Sequence, residues 1–390
     1  ATSNRPRRDP TPRSAMKMVL GGSKAVRAAR LAYLALVLYQ MVMAIWAVVG
    51  SKLLRGNEAG VPLAAFLAGR HFVASSALGT IAVVQHGRAA LMPQRSDLFR
   101  VGVAGMLAQY GSPMFYLFGL QYLPPTIGSI FDGPLIPLLV FVMAVSIGVE
   151  RLPGKVSQRI AVALALCLSS GGAVLLILAS AGAEGVPSDE AEAEMLLIAD
   201  AAEPQAMPSA DAGTPVQAGA STGIFFIALI SLFLEAACLS ASFIIQKPLA
   251  TKYKLFPFAF WMSFSGLCCV VFHLALYEEG GLFFNIFRLY SACIDSPSFL
   301  LAMLYNALAI SVINTLCIAF ANATLPSSVV ALGACVQPGF TLLLDVYLYG
   351  ADFTPVHVLA LCIVGLGIKL FTDNNSVAAV SLQKASTLPS

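Results

Sequence analysis

Charge is what this sequence has least of, because Asp, Glu, Lys and Arg together make up only 11% of its 390 residues. A typical soluble domain carries about 25% charged residues. With 58% hydrophobic residues, the chain has too little polar surface to fold as a soluble protein of this length. The charged residues are also grouped, with long apolar runs between the groups. This pattern predicts an all-α polytopic membrane protein.

Motifs for several kinds of chemistry are also missing. The sequence has eight cysteines, but none shows the spacing of a zinc site, and cysteines in apolar segments are typically small buried packing residues. No glycine-rich phosphate-binding loop occurs, so nothing supports an ATP-driven pump. We therefore expect no cofactor, no metal and no enzymatic activity. The basic N-terminal arm suits anionic lipid headgroups better than nucleic acid.

Ten apolar segments are long enough to cross a bilayer, which requires about 20 residues each. Proline, glycine and charged residues mark their ends. The predicted spans are residues 31–54, 62–84, 101–121, 124–149, 160–180, 222–246, 256–277, 299–321, 325–349 and 354–372.

The positions of Lys and Arg predict the orientation, since cytoplasmic loops are enriched in basic residues. With the basic arm (1–30) in the cytoplasm, nearly all of the 23 Lys and Arg residues fall on that side, and only Lys52, Arg55 and Arg288 lie in the opposite loops. Both termini, including the tail 373–390, are therefore predicted to be cytoplasmic. We expect residence in the plasma membrane; an organellar membrane is the alternative, because the arm also has features of a transit peptide.

One long segment, 181–221, divides the ten spans into five and five. It contains eight acidic residues and no basic one, which predicts a disordered linker on the non-cytoplasmic side. The flanking halves, 31–180 and 222–372, share features at a fixed offset.

The shared features indicate an internal repeat. Leu123 and Glu150 recur 202 residues later as Leu325 and Asp352. Because each half has five spans, an odd number, the second half must enter the membrane from the opposite side to the first. The sequence thus predicts two inverted five-helix repeats, an architecture of secondary transporters that supplies alternating access.

Paired motifs carry a resemblance to a known family. They are LPPTIGSIFDGPLIPLL (123–139) with LPSSVVALGACVQPGFTLLL (325–344), SSGGAVLLIL (169–178) with VGLGIKLF (364–371), and GVERL (148–152). Residues 31–372 resemble the drug/metabolite transporter superfamily of EamA type, with a general likeness to its walls-are-thin-related branch. The resemblance implies ten helices and the export of amino acids and related metabolites. The counterpart of GVERL in the second half departs from the pattern, since Asp352 and Phe353 stand where Glu and Arg are expected.

Polar side chains inside the predicted spans are the candidate functional residues. A charge at mid-bilayer costs about 2.5–3.5 kcal/mol on insertion scales, so it usually faces a cavity or a partner. Asp345 lies near the outer interface, where an anchoring role is favoured. We predict that a substrate or proton pathway is lined by Glu235, Gln40, Asp132, Arg70, Gln109 and Asn314.

Glu235 is the sharpest of these candidates, because it falls mid-span with no basic residue nearby in sequence. Gln40 corresponds to it at an offset of 195, and we expect the two to face each other across a pseudo-twofold axis. Our hypothesis is that Glu235 binds a substrate amine or a coupling proton. The structural alternative is a glutamate held by hydrogen bonds to neighbouring helices.

Asp132 lies in a stretch with two helix breakers, Pro134 and Pro137. Each proline frees the carbonyl four residues before it, and such backbone is tolerated in a membrane only where it faces protein or water. Asp132 and the freed carbonyls are predicted to line a polar cavity, or Asp132 forms a packing pair with Arg70. Arg70 itself is a candidate for holding a substrate carboxylate or for snorkelling to the outer face.

These features together predict a secondary transporter of small polar metabolites. The alternatives are a channel and an intramembrane aspartyl protease, which would need Asp132 and Asp345 to face each other. The expected partners are a small-molecule substrate and the lipid bilayer, and a homodimer is compatible with the sequence. Small residues at helical spacing, Gly102 with Gly105 and Gly365 with Gly367, are predicted to allow close helix packing.

Overall fold

The computed structural model describes residues 12–46, 61–122, 131–150, 155–183, 218–349 and 353–386. Within these ranges every regular element is helical and no strand occurs. Residues 184–217, most of the predicted acidic linker, lie outside the described part of the chain.

The first half contributes five main helical segments and one short 3-10 helix, Arg88–Leu91. The main segments are α1 (Pro12–Ile45), α2 (Leu63–His86), α3 (Arg95–Gly105, continued by Met106–Gly111 and Ser112–Tyr122), α4 (Phe131–Leu135 followed by Ile136–Ser146) and α5 (Val156–Ala183). The helix of the first span begins earlier than the predicted boundary at residue 31, and its apolar part starts at Val26. Long basic side chains such as Arg27 and Arg30 can lie along a helix end while their charges reach the headgroups.

The second half contributes six segments. They are α6 (Ala218–Lys252), α7 (Leu255–Leu276), α8 (Gly281–Asp295), α9 (Pro297–Tyr305, Asn306–Ile313 and Asn314–Thr324), α10 (Ser327–Leu332, Gly333–Val336 and Gln337–Tyr349) and α11 (Pro355–Ser386). The sequence did not predict α8, because at 15 residues it is too short to span a bilayer.

Eight of the helices in the described ranges are long and apolar enough to cross a membrane. They belong to α1, α2, α5, α6, α7, α9, α10 and α11. The chain is therefore an all-α, multi-pass membrane protein, as the composition predicts. Of the two other predicted spans, α4 holds a shorter apolar helix, Gly133–Ser146, and α3 begins with the polar stretch RSDLFR.

Glycines set how closely two helix pairs approach. A Cβ on Gly367 of α11 would lie 2.6 Å from the Ser169 backbone nitrogen of α5, and one on Gly105 of α3 would lie 2.7 Å from the Met262 carbonyl oxygen of α7. Both glycines therefore bring backbones into contact, as predicted. The prediction is wrong for their neighbours, Gly102 and Gly365, because a Cβ there meets nothing within 4 Å.

Polar contacts join the end of α4 to the start of α10. The Glu150 carboxylate accepts hydrogen bonds from the Ser328 backbone N–H at 3.0 Å and from its hydroxyl at 2.5 Å. A few residues before Ser328, the carbonyls of Asn322 and Leu325 at the end of α9 accept hydrogen bonds from Lys247 of α6, at 2.6 and 2.5 Å. These contacts satisfy backbone groups that a helix end leaves unpaired.

Candidate functional site

Two π-helical segments interrupt α3 and α9. They are Met106–Gly111 and Asn306–Ile313. A π-helical turn widens the helix and is frequently found at functional sites. The first segment carries Gln109, which the sequence analysis singled out, and the second carries Asn306, which it did not.

A chain of buried polar groups connects these segments through α2. Arg70 Nη1 donates to Asn306 Oδ1 at 2.9 Å, and Arg70 Nη2 lies 3.3 Å from Nε2 of His71. That histidine nitrogen is 2.8 Å from the Gln109 carbonyl oxygen, to which it can donate. The Gln109 amide then donates to Thr315 Oγ1 of α9 at 3.2 Å. The network therefore links α2, α3 and α9.

Arg70 does not snorkel out of the bundle. Its side chain is buried, with 8% of its surface exposed, and His71 beside it is fully buried. Arg70 Nε and His71 Nδ1 have no hydrogen-bond partner among the described residues. Buried polar atoms are rarely left unpaired, so this cluster retains capacity to bind another polar group.

Glu235 of α6 lies next to the network. It contacts Ser112, which is about one helical turn beyond Gln109 on α3. Its Oε1 accepts a hydrogen bond from Ser112 Oγ at 3.0 Å, and the side chain is 2% exposed. Ser231, one turn earlier on α6, donates to the Phe115 carbonyl at 2.8 Å. These bonds fasten the middle of α6 to the second part of α3.

Gln40 of α1 and Asn314 of α9 are two further buried amides. Asn314 follows Ser112 by 202 residues, and Gln40 precedes Glu235 by 195, the two offsets noted in the sequence analysis. Helices α1 and α9 pack against each other as α6 and α3 do. Neither amide has a hydrogen-bond partner among the described residues. Gln40 lies near Gly333 of α10, whereas Glu235 contacts Ser112 of α3. The two side chains therefore have different neighbours among the described residues.

The carbonyls of the proline-containing α4 face neighbouring helices. Cys335 Sγ lies 3.9 Å from the Gly133 carbonyl, Ser170 donates to the Pro134 carbonyl at 3.0 Å, and Ser240 donates to the Ile136 carbonyl at 3.3 Å. The Gly133 carbonyl thus contacts the Cys335 thiol of α10, the carbonyl freed at Ile130 lies outside the described residues, and the predicted polar cavity stays a prediction. Ser170 and Ser240 of neighbouring helices thus pair two backbone carbonyls of α4 with protein donors.

The side chains of Asp132 and Asp345 lie outside the described part of the structure. The predicted Asp132–Arg70 pair therefore stays a prediction. Of the other candidates, Arg70 and Gln109 share one network, Asn314 precedes Thr315 of that network, and Glu235 bonds one turn away. The sequence analysis missed Thr315, which shows no pattern of its own, and gave no role to His71.

The described residues of the candidate site contain no set of metal ligands. Among the residues that the structure describes, no three His, Cys, Asp or Glu side chains are grouped closely enough to hold a metal ion. The candidate residues instead offer one guanidinium, one imidazole, one carboxyl group, four amides and several hydroxyl groups. These groups are suited to hydrogen bonding with a small polar molecule.

Comparison with known proteins identifies the fold but no family. No protein family and no curated protein matches the sequence. A solved structure described only as a crystal structure of a protein superposes with a TM-score of 0.59 at 15% sequence identity. The match covers 89% of this chain and 96% of that one. The helical arrangement is therefore one that recurs in a solved structure.

Proposed function

We propose that this protein is a secondary transporter of small polar organic metabolites, with amino acids as the favoured class. In this proposal ten membrane spans form two inverted five-helix repeats, α1–α5 and α6–α11 without α8. Alternating access follows from exchanging the conformations of the two repeats. The observation that carries the proposal is the buried polar chain from Arg70 to Thr315, because it joins the two halves at the centre of an apolar bundle.

Helical irregularities support the repeat. Shifted by 202 residues, the π-helical Met106–Gly111 falls on 308–313, inside the π-helical Asn306–Ile313. The same shift moves the π-helical Phe131–Leu135 to 333–337, where Gly333–Val336 is a 3-10 helix. Two departures from α-helix at one offset are better explained by duplication than by coincidence.

Helix pairing supports the same symmetry. The pair α1·α9 corresponds to α6·α3, α1·α10 to α6·α4, and α2·α9 to α7·α3, and all six pairs are in contact. The remaining major contacts, α2·α7, α4·α10 and α5·α11, join each helix to its own counterpart. This pattern is expected when one twofold axis relates the halves.

The site chemistry favours a substrate with both a carboxylate and an amine. The Arg70 guanidinium, with Nε unpaired, suits a carboxylate, and Glu235 suits an amine or a coupling proton. Interhelical hydrogen bonds in membranes contribute only about 0.6 kcal/mol each on average. Breaking a few of these hydrogen bonds as the halves move therefore costs little free energy within one transport cycle.

Solute counterflow in reconstituted vesicles tests the proposal. Purified protein is reconstituted, loaded with unlabelled metabolite mixtures and assayed for uptake of labelled amino acids, organic acids and amines. A carrier shows saturable uptake that is accelerated by the same solute inside, and the variant Arg70→Gln reduces it. Asp295→Asn, on the exposed surface of α8, is the matched control and leaves uptake unchanged.

The alternatives predict other results. Flux that is fast, unsaturable and not accelerated by internal solute indicates a channel and contradicts the proposal. Cleavage of a membrane-embedded reporter peptide, abolished by either Asp132→Asn or Asp345→Asn, indicates an aspartyl protease.

The inverted repeat has its own test. An epitope inserted between residues 190 and 215 is expected to react with antibody added outside intact cells, whereas a tag at residue 390 is expected to react only after permeabilisation. Equal accessibility of both tags overturns the five-plus-five arrangement.

A further inference from the structure

The helix α8 has three distinct faces, which follow from its residue spacing. Asn285, Leu289 and Ala292, at i, i+4 and i+7, are buried against the protein. A second face carries Arg288, Ser291 and Asp295, within which Ser291 donates to Asp295 at 3.0 Å. Phe284 lies at the first turn of this face, 52% exposed, with the Arg288 guanidinium 5.7 Å from the centre of its ring. The third face is an apolar stripe at i, i+4, i+7 and i+11, formed by Phe283, Phe287, Tyr290 and Ile294.

The apolar stripe is open to the surroundings. Phe283 is 87% exposed, and Phe287, Tyr290 and Ile294 are each more than 60% exposed. Aromatic side chains of this size in water would lose the free energy of burial, about 1.5–3 kcal/mol for a side chain such as Phe. A contiguous exposed stripe of this kind therefore indicates that something apolar covers it.

The connections of α8 fix where it lies. It follows α7 after four residues and precedes α9 after one, Ser296. Two Cα steps keep the end of α8 within about 8 Å of the start of α9. Because α7 and α9 are both long and apolar enough to span the membrane, α8 is held at the membrane surface where α7 ends and α9 begins.

Its entry turn and buried face attach α8 to the rest of the bundle. Gly280 and Gly281 have φ of 79° and 67°, which lets the chain reverse direction without strain after α7. The Asn285 amide donates to the carbonyls of Glu279 and Gly281 at 3.0 and 2.9 Å. Leu289 packs on Gly69 of α2, where an added Cβ would lie 2.7 Å away. The orientation of the apolar stripe is therefore set by the protein.

We propose that α8 is an interfacial helix that inserts Phe283, Phe287, Tyr290 and Ile294 into the boundary between lipid headgroups and acyl chains. The second face, with Arg288 and Asp295, then lies toward water, as in helices that lie in the membrane plane. Its charges balance, and Glu278 and Glu279 precede it, so insertion rests on apolar area and does not require anionic lipid. The occupant of this face is the bilayer itself.

Tryptophan scanning with bromine-labelled lipid tests the assignment. Phe287→Trp on the apolar stripe and Ser291→Trp on the second face are made in the full-length protein and reconstituted in phosphatidylcholine, with or without brominated acyl chains. Emission is read as the difference from wild type, because Trp46 and Trp261 contribute. Bromolipid is expected to quench the residue-287 signal at least twofold more than the residue-291 signal, and aqueous iodide is expected to show the reverse preference.

Two results would overturn the proposal. Equal quenching by iodide at both positions means that the stripe faces water. Protection of residue 287 from both quenchers means that a second protein copy covers it. Phe283→Trp serves as a second reporter if Phe287→Trp elutes as aggregate, and circular dichroism confirms that each variant retains the helical content of wild type.

Discussion

Gly133 and Cys335 lie 202 residues apart in the chain and meet in the folded protein, with Cys335 Sγ 3.9 Å from the Gly133 carbonyl oxygen. They are also counterparts under the 202-residue offset of the proposed repeat. Counterparts that touch each other lie close to the axis relating them. The central crossing of α4 and α10 is thus the natural position for the proposed pseudo-twofold axis.

Glu235→Gln tests whether this carboxyl group takes part in transport. The amide can still accept the Ser112 hydrogen bond, so the fold is retained while the ionisable group is lost. We expect uptake to fall at least tenfold, or its dependence on pH to flatten, in vesicles assayed between pH 5.5 and 8. Ser112→Ala is the structural control; it removes one bond of about 0.6 kcal/mol and is expected to retain the wild-type pH profile. An unchanged profile in Glu235→Gln removes the proton role.

Gly367→Ala tests the close approach of α5 and α11. The new methyl would meet the Ser169 backbone nitrogen at 2.6 Å and the Ala165 carbonyl oxygen at 2.8 Å. Overpacking of this kind typically costs about 1–3 kcal/mol, so the detergent-solubilised variant should melt several degrees below wild type. Gly365→Ala, two residues away with nothing within 4 Å of its Cβ, is the matched control and should melt within a degree of wild type. Equal melting temperatures would contradict this packing.

Glu150→Ala tests the contact between α4 and α10. It leaves the Ser328 N–H and hydroxyl without their acceptor at the first turn of α10, a loss comparable to removing a helix cap, about 0.5–2 kcal/mol. Glu150→Gln keeps an acceptor oxygen and is expected to lose less than half as much. Thermal unfolding of the two variants in the same detergent gives the comparison. A Gln variant as unstable as the Ala variant would show that the charge of Glu150, rather than its role as a hydrogen-bond acceptor, stabilises the contact between α4 and α10.

Asp97→Asn tests an ion pair between the first turn of α3 and the last residue of α6. Hydrogen bonds from Lys252 at 2.5 Å and from the Tyr253 hydroxyl at 2.6 Å lower the pKa of Asp97 below its ordinary value of 3.8. A lowered pKa stabilises the fold above the unfolded-state pKa, and the stabilisation disappears as pH falls through the folded-state pKa. Asp97→Asn should therefore melt below wild type at pH 7, and the difference should shrink below about pH 4.

The control for that experiment is Asp295→Asn, whose exposed carboxylate accepts a hydrogen bond from Ser291 and from no other described residue. Its melting temperature should match that of wild type across the same pH range. A constant deficit for Asp97→Asn at every pH would mean that the ion pair is not the source of its stability.

Much of the fold could be predicted from the sequence, because a helix that crosses a bilayer needs a long apolar segment. Long apolar segments predicted the eight membrane-length helices, and the recurrence of Leu123 and Leu325 predicted the offset at which helical irregularities also recur. The boundary of α1 was less readable, since Arg27 and Arg30 are compatible with a helix that begins before its apolar part. The amphipathic α8 was missed because a short aromatic stripe resembles a loop when only span length is considered.

The sequence by itself determined the all-α class, the number of apolar segments and the presence of costly polar groups such as Arg70 and Glu235 inside them. Those properties depend on local composition and on the fixed thickness of a bilayer. Only the tertiary structure decided the partners: Arg70 bonds Asn306, 236 residues away, and the carbonyls of α4 are met by Cys335, Ser170 and Ser240. Partners depend on how helices cross, and packing of whole helices is not encoded in any single segment.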